Sequence, residues 1–339
     1  MKIACCFKKE KEPAVRCMLC PHNCLIADGK SGICGARKNE GGMLYSMNYG
    51  VISGLSFDPI EKKPLYHYYP ANEVLSIGTV GCNLHCPFCQ NYHISRYFDD
   101  RGEDVFNISS PGDIVSVLEN RSGVFSRPVF GGAAYTYSEP LVWIEFVRET
   151  AGLMKEKGYK NILVTNGYIN KEPLSGLLPL IDAANIDLKA FTESNYRKLG
   201  GSLKPVLDSI EQFIKAGVHI ELTTLVVTGL NDNLEELGGL IKWISGADRS
   251  IPYHLSRYFP QYLYKEKATD TEIINEAKKM ADSYLDYVYT GNMDAYADSN
   301  SYCPSCRNVL VVRKGYNASV SGIKEGKCSS CGRKADFIL

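Results

Sequence analysis

The central part of the chain alternates short apolar runs with longer segments whose apolar positions recur at helical spacing. The runs over 74–77, 128–130, 161–165, 184–188, 220–227, 251–255 and 287–289 are rich in Val, Ile, Leu and aromatic residues, and they read as strands. Between them the pattern predicts helices. One starts at Ser110-Pro111-Gly112-Asp113, with proline at the first helical position and an acid at the third. A second, over 139–157, puts Trp143, Phe146 and Val147 on one face and stops at Gly158. Others are expected over 207–216, ending at Gly217, over 234–244 and over 271–285. Strands alternating with helices imply parallel βαβ units. About six such units form an open or partial (β/α)6 barrel of the α/β class, with its ligand site at the carboxyl ends of the strands.

Polar residues do gather where those strands end. A loop carrying Cys82, Cys86 and Cys89 follows the first, and Tyr137-Ser138-Glu139-Pro140 follows the second. Thr165-Asn166-Gly167 ends the third, Asp187 and Lys189 the fourth, and His254 and Arg257 the sixth. Residues 43–69 break the rhythm. They hold Asp58-Pro59-Ile60-Glu61-Lys62-Lys63-Pro64-Leu65, whose two prolines in a charged run disfavour helix and central strand alike. An extended arm or hairpin packed on the body is expected there.

The cysteines divide the chain. There are 13, too many for a reducing compartment unless most serve metals. They fall as Cys17, Cys20, Cys24 and Cys34, then Cys82, Cys86 and Cys89, then Cys303, Cys306, Cys328 and Cys331, with Cys5 and Cys6 left over. The expected organisation is an amino-terminal cysteine module with its arm over 1–70, a central barrel over 71–298 and a carboxy-terminal module over 299–339. The last set, two Cys-x2-Cys knuckles flanking a hairpin-length insert that begins Val309-Leu310-Val311-Val312, reads as a zinc ribbon. The first set suits a structural metal. Zinc is preferred there, an auxiliary iron–sulfur cluster is the alternative, and His22 could replace one thiolate. The middle set has three thiolates at Cys-x3-Cys-x2-Cys, which suits an iron–sulfur cluster with one open iron, or zinc with a ligand from elsewhere.

Charge narrows the partners. Lys+Arg and Asp+Glu number 38 each, so no global field draws the chain to nucleic acid or membrane. The basic residues of the ribbon are scattered. No apolar run approaches a membrane span, and the first residues lack the apolar core of a signal peptide. A cytoplasmic protein is expected.

Phe88 precedes the last cysteine of the middle set, giving Cys-x3-Cys-x-aromatic-Cys, and here the sequence resembles the radical S-adenosylmethionine (SAM) superfamily. Tyr137-Ser138-Glu139-Pro140, Asp187-Leu188-Lys189 and Pro252-Tyr253-His254 resemble its branch containing the pyruvate formate-lyase activating enzyme. That branch carries Gly-Gly where this chain has Tyr137-Ser138. Within the branch the sequence looks like the AmmeMemoRadiSam-system enzymes, from its Cys-x2-Cys-Pro-His-x-Cys opening to its terminal cysteine pairs. The resemblance implies a partial barrel of the radical SAM type, a [4Fe-4S] cluster on Cys82, Cys86 and Cys89, and SAM chelated at the open iron. Phe88 would lie near the adenine and Glu139 would take the SAM ammonium. Thr165 and Asn166 would meet the ribose, with Ser138, Asp187, Lys189, His254 and Arg257 completing the cofactor site. The implied reaction is reductive cleavage of SAM to a 5′-deoxyadenosyl radical that abstracts hydrogen from a small molecule or protein side chain. Electrons would come from a donor such as flavodoxin or ferredoxin. The alternatives are an activase that installs a glycyl radical on a partner protein, and a non-catalytic metal-binding scaffold.

Overall fold

A computed structural model describes residues 1–99, 106–120, 129–293 and 299–339. Its centre is an eight-stranded sheet. In spatial order the strands are Gly54–Pro59, Glu73–Gly78, Val129–Thr136, Lys160–Thr165, Ala183–Asp187, His219–Val226, Tyr253–Arg257 and Val288–Gly291. The first is antiparallel to its neighbour and the other seven are parallel. Parallel strands that follow one another in chain order step across the sheet in one direction. Right-handed crossovers then bring their helices back onto a single face.

Alternation along each strand supplies two apolar faces. Leu75, Ala133, Leu163, Ala184, Leu222 and Leu255 belong to one large cluster with helical residues such as Phe146, Leu174, Ile210 and Ile241. Their neighbours Val74, Ala134, Ile162 and Ala183 pack instead on Ile60, Leu65 and Tyr68. The arm expected over 43–69 is therefore half sheet and half plug. Gly54–Pro59 forms the antiparallel edge, where a terminal proline costs no ladder bond. The residues after it fill the other face. Asp58 and Lys63 are buried as a pair, with Lys63 Nζ 2.8 Å from Asp58 Oδ2, and the buried Glu61 accepts through Oε1 from the Ala71 N–H at 2.7 Å.

Most expected elements form, with shifted bounds. Ser110 and Asp113 make a reciprocal capping box on the Pro111–Glu119 helix. Pro128 lies outside the described residues, and the second parallel strand is described from Val129 onward. The helix expected over 139–157 opens as a 3-10 turn, Pro140–Trp143, before Ile144–Glu156. Leu203–Lys215 begins four residues before the expected 207, because Pro205 sits in its first turn, where a missing N–H costs nothing. Lys171–Leu177 and Glu193–Lys198 were not expected as helices. No helix among the described residues is long and apolar enough to cross a membrane.

The amino ends of the strands are closed by a polar hub. Buried Glu221 accepts from the backbone N–H groups of Tyr66 and His67, at 2.9 and 2.7 Å, and pairs with His254 Nε2 at 2.7 Å and His219 Nε2 at 3.2 Å. Burial alone would raise the Glu221 carboxyl, but these partners hold it well below the usual range. His67, fully buried, bonds Tyr289 Oη and the Asp336 carbonyl, each at 2.7 Å, and stacks on Phe337 at 3.8 Å. The carboxy-terminal hairpin, Val309–Lys314 with Asn317–Val320, reaches the same floor. Arg313 Nη2 donates to the Tyr66 carbonyl at 2.6 Å and its guanidinium covers the Tyr66 ring.

Burial drops His67 to about 3, with the carboxylate of Glu221 only partly opposing. The unfolded chain therefore binds a proton at His67 that the fold refuses. Stability is full above about pH 6.5 and falls below it by about 1.4 kcal/mol per pH unit. Glu139 titrates the other way in this range, so the His67 share is read as a difference: urea unfolding between pH 7 and 5 should lose more stability per pH unit in wild-type protein than in His67→Gln.

Candidate active site

The loop after Glu73–Gly78 is held in place from three sides. Gly81 has φ +90°, and a Cβ there would lie 2.9 Å from the Cys34 carbonyl oxygen and 3.1 Å from Ala36 Cβ, so only glycine fits. Buried Arg96 donates from Nη2 to the carbonyls of Cys82 and Leu84 at 2.7 and 2.8 Å. Buried Asn83 donates to the Tyr168 carbonyl at 2.7 Å, and its Oδ1 accepts from Asn166 Nδ2 at 2.9 Å. Neither Arg96 nor Asn83 stands out in sequence, since cysteine spacing says nothing about the polar residues between and after the ligands.

Cys82, Cys86, Phe88 and Cys89 open into a cavity of about 450 Å³ at the carboxyl ends of the strands. Ser138, Glu139, Thr165, Asn166, Asp187, Lys189 and Arg257 line the same cavity, so eleven of the twelve residues expected at this site are brought together. The exception is His254. Pro252 cannot donate to the ladder, so the strand starts at Tyr253 and runs on to Arg257. That shift leaves His254 near the amino end, bonded to Glu221 in the floor. It is a structural residue of the hub rather than a cofactor ligand.

The structure also shows how the chain replaces two glycines. Tyr137 and Ser138 have φ of +47° and +66°, the left-handed region, which costs a side-chain-bearing residue about 1–2 kcal/mol each. Side chains offset the strain. Tyr137 Oη donates to Asp58 Oδ2 at 3.0 Å with Lys63 over its ring, and the Ser138 hydroxyl donates to the Gly81 carbonyl.

Glu139 is 1% exposed, and its carboxylate is already engaged. Oε1 accepts from the Leu141 N–H at 2.9 Å and Thr165 Oγ1 at 2.6 Å, and Oε2 from the Asn166 N–H at 2.8 Å. Burial pushes its carboxyl up to about 7, with those three donors opposing. The helix-capping role is the one its hydrogen bonds display. Thr165 and Asn166 are likewise committed. Thr165 Oγ1 also accepts from the Gly167 N–H, and Asn166 Oδ1 from the Tyr168 N–H. Charge in the cavity comes from Asp187 and Lys189, paired at 2.8 Å, and from half-buried Arg257, whose Nε donates to the Thr269 carbonyl. Burial lowers the Lys189 ammonium, but Asp187 and Cys86 overcome it and the net shift is upward.

Phe88 is buried against Tyr258 and Tyr264, with ring centroids 6.2 and 6.1 Å away. The loop that supplies those tyrosines is tied to the cysteine loop by the Leu263 N–H, which donates to the Pro87 carbonyl at 2.9 Å. Its aromatic density, Tyr258-Phe259-Pro260-Gln261-Tyr262-Leu263-Tyr264, is the signal that could have found it.

Do these three cysteines suit a cluster? Cys82 Sγ accepts from the Leu84 N–H at 3.4 Å and Asn166 Nδ2 at 3.7 Å, and Cys89 Sγ lies 3.5 Å from Ser95 Oγ, contacts that stabilise thiolate sulfur. Among the described residues the only group of three or more Cys, His or carboxylate ligand atoms lying within 4.8 Å of one another is that of Cys303, Cys306, Cys328 and Cys331. Sulfurs on a single tetrahedral zinc sit about 3.8 Å apart, which the 3.6 and 3.7 Å contacts Cys303–Cys331 and Cys306–Cys328 match. That set could bind one metal ion. Cys82, Cys86 and Cys89 do not all lie within that reach of one another, and thiolates that each hold a different iron have no need to, so the three fit a cluster.

A parallel α/β sheet that gathers three cysteines and a charged cavity at its carboxyl edge defines a metal-dependent enzyme site. The radical SAM superfamily profile matches residues 76–244, and the chain belongs to that superfamily. Family members are enzymes that use a [4Fe-4S] cluster and SAM. The chain is 37% identical to an uncharacterized protein of Methanocaldococcus jannaschii, over 100% of both chains. It is 25% identical to the pyruvate formate-lyase-activating enzyme of Clostridium pasteurianum, over 60% of this chain and 87% of the relative. With the pyruvate formate-lyase 1-activating enzyme of Escherichia coli the identity is 24%, over 51% of this chain and 71% of the relative. The last two relatives are activating enzymes.

Glu139→Gln keeps the shape and turns one acceptor into a donor facing a donor. Denaturant unfolding should show a loss of about 1.5–3 kcal/mol, with the visible absorption of reconstituted protein retained. Unchanged stability would exclude the capping role.

Proposed function

We propose that this chain holds a [4Fe-4S] cluster on Cys82, Cys86 and Cys89, binds SAM beside it, and cleaves SAM reductively to act on a substrate. The observation that carries this reading is the conjunction of three cysteines with a charged cavity of about 450 Å³ at one end of the sheet. When bound and reduced, the cluster supplies the electron that splits SAM into methionine and a 5′-deoxyadenosyl radical able to take hydrogen from a substrate. Asp187, Lys189 and Arg257 supply both signs of charge for the zwitterionic methionine end of SAM. Phe88 offers its ring to the adenine. Thr165 and Asn166 hold the turn beneath the ribose. Glu139 Oε2, with one donor against two on Oε1, is the oxygen left to meet the ammonium.

The wider reading is an AmmeMemoRadiSam-system enzyme of the cytoplasm, reduced by a flavodoxin- or ferredoxin-type donor. Its 71–298 partial barrel is flanked by a cysteine module over 1–70 and a zinc ribbon over 299–339. A second reading, activase of a partner protein, is favoured by one observation: Phe259 and Leu263, 48% and 69% exposed, flank the cavity and offer a peptide an apolar rest. A non-catalytic scaffold would need no such cavity.

Reduced protein incubated anaerobically with SAM should release 5′-deoxyadenosine, measured by mass spectrometry. The combined Cys82→Ala, Cys86→Ala and Cys89→Ala variant should release none, and output equal to wild type would sink the radical SAM chemistry assigned to this site. Metal analysis of a variant lacking Cys303, Cys306, Cys328 and Cys331 should show a loss of about one zinc per chain with iron retained. Iron falling in place of zinc would reject the ribbon.

A further inference from the structure

Six cysteines remain unassigned by this chemistry, Cys5, Cys6, Cys17, Cys20, Cys24 and Cys34, and the last four are built into the fold around one loop. Cys17 and Cys20 are buried, and Cys24 and Cys34 half-buried. The Cys17 N–H donates to the Cys24 carbonyl at 2.9 Å, closing the loop between them. Cys17, Cys24 and Cys34 all lie close enough to Cys20 for their charges to act on its thiol. Three of the sulfurs accept a backbone N–H from two residues on: Cys17 from Leu19, Cys20 from His22 and Cys34 from Ala36. Cys82 receives the same bond from Leu84. Asn170 anchors the loop from the barrel, donating to the carbonyls of Met18 and Cys20 at 2.8 and 3.1 Å.

The spacing selects the metal. The carboxy-terminal cysteines stand within 4.8 Å of one another, the reach of one ion, and no other three ligand atoms among the described residues do. No three of Cys17, Cys20, Cys24 and Cys34 lie within that reach, and Cys82, Cys86 and Cys89 do not either. A single zinc needs all its sulfurs within such a reach, whereas thiolates at the corners of a cluster each hold a different iron. Buried Arg37, paired with Glu145 at 2.8 Å, acts on both Cys17 and Cys34 and places positive charge beside a set that would carry negative charge. We propose that Cys17, Cys20, Cys24 and Cys34 hold a second, fully thiolate-ligated [4Fe-4S] cluster, packed through the Cys34 carbonyl against Gly81 and the loop of the first.

The test is metal and sulfide analysis of the full chain, reconstituted anaerobically. Wild-type protein should carry about eight iron and eight sulfide per chain, and the Cys82→Ala, Cys86→Ala, Cys89→Ala variant about four of each. The reduced variant should keep an iron–sulfur paramagnetic resonance signal that added SAM leaves unchanged, since four thiolates leave no open iron. About four iron and two zinc in wild-type protein would overturn the proposal in favour of zinc. A triple variant with no iron but with wild-type thermal unfolding would overturn it as well. Failure of the central-site reading looks different: the triple variant would then lose no iron.

Discussion

A buried carboxylate with three donors sets the geometry of the upper sheet. Glu139 joins the start of its own helix to the end of the Lys160–Thr165 strand, through the N–H groups of Leu141 and Asn166 and the hydroxyl of Thr165. Asn166 passes the constraint to Asn83, in the middle of the cysteine loop, and Asn83 passes it to the Tyr168 carbonyl. Every link is buried, so each donor and acceptor is costly to leave unmade and the chain of bonds is cooperative. The sulfurs are thus aimed by residues that never touch metal.

Much of this was legible in the residues, and the misses share a cause. Period-two and helical patterns show the alternation of strands and helices, and cysteine spacing divides the thiols into three sets. The sequence could not show which polar atoms at the strand ends are spent on one another. Glu139, Thr165 and Asn166 look available because they are polar, and only coordinates reveal that their hydrogen bonds close within the fold. His254 was misplaced by a two-residue error in one strand boundary, where Pro252 shifts the start. The Lys171–Leu177 helix was hidden by Pro173, tolerated in a first turn.

Tyr137 and Ser138 show that side chains can hold a backbone shape that favours glycine. Two left-handed residues in succession are held there by Asp58, Lys63 and the Gly81 carbonyl. The edge strand and the plug that follows it are therefore linked to the cavity wall, and the antiparallel addition to the sheet serves the site as well as the core. Asp58, with a carboxyl that burial would raise but Lys62 and Lys63 hold well down, is the fixed charge on which that wall rests.

The floor of the sheet draws on both halves of the sequence: Tyr66 and His67, Glu221 and His254, then Tyr289, Arg313, Asp336 and Phe337. Contacts of such sequence separation form late. During synthesis the ribosome has emitted Cys82, Cys86 and Cys89 long before residue 337 exists to seal the opposite end of the sheet. The nascent chain therefore spends about 12–50 s, at ordinary elongation rates, with its thiols made and the floor of its sheet still open.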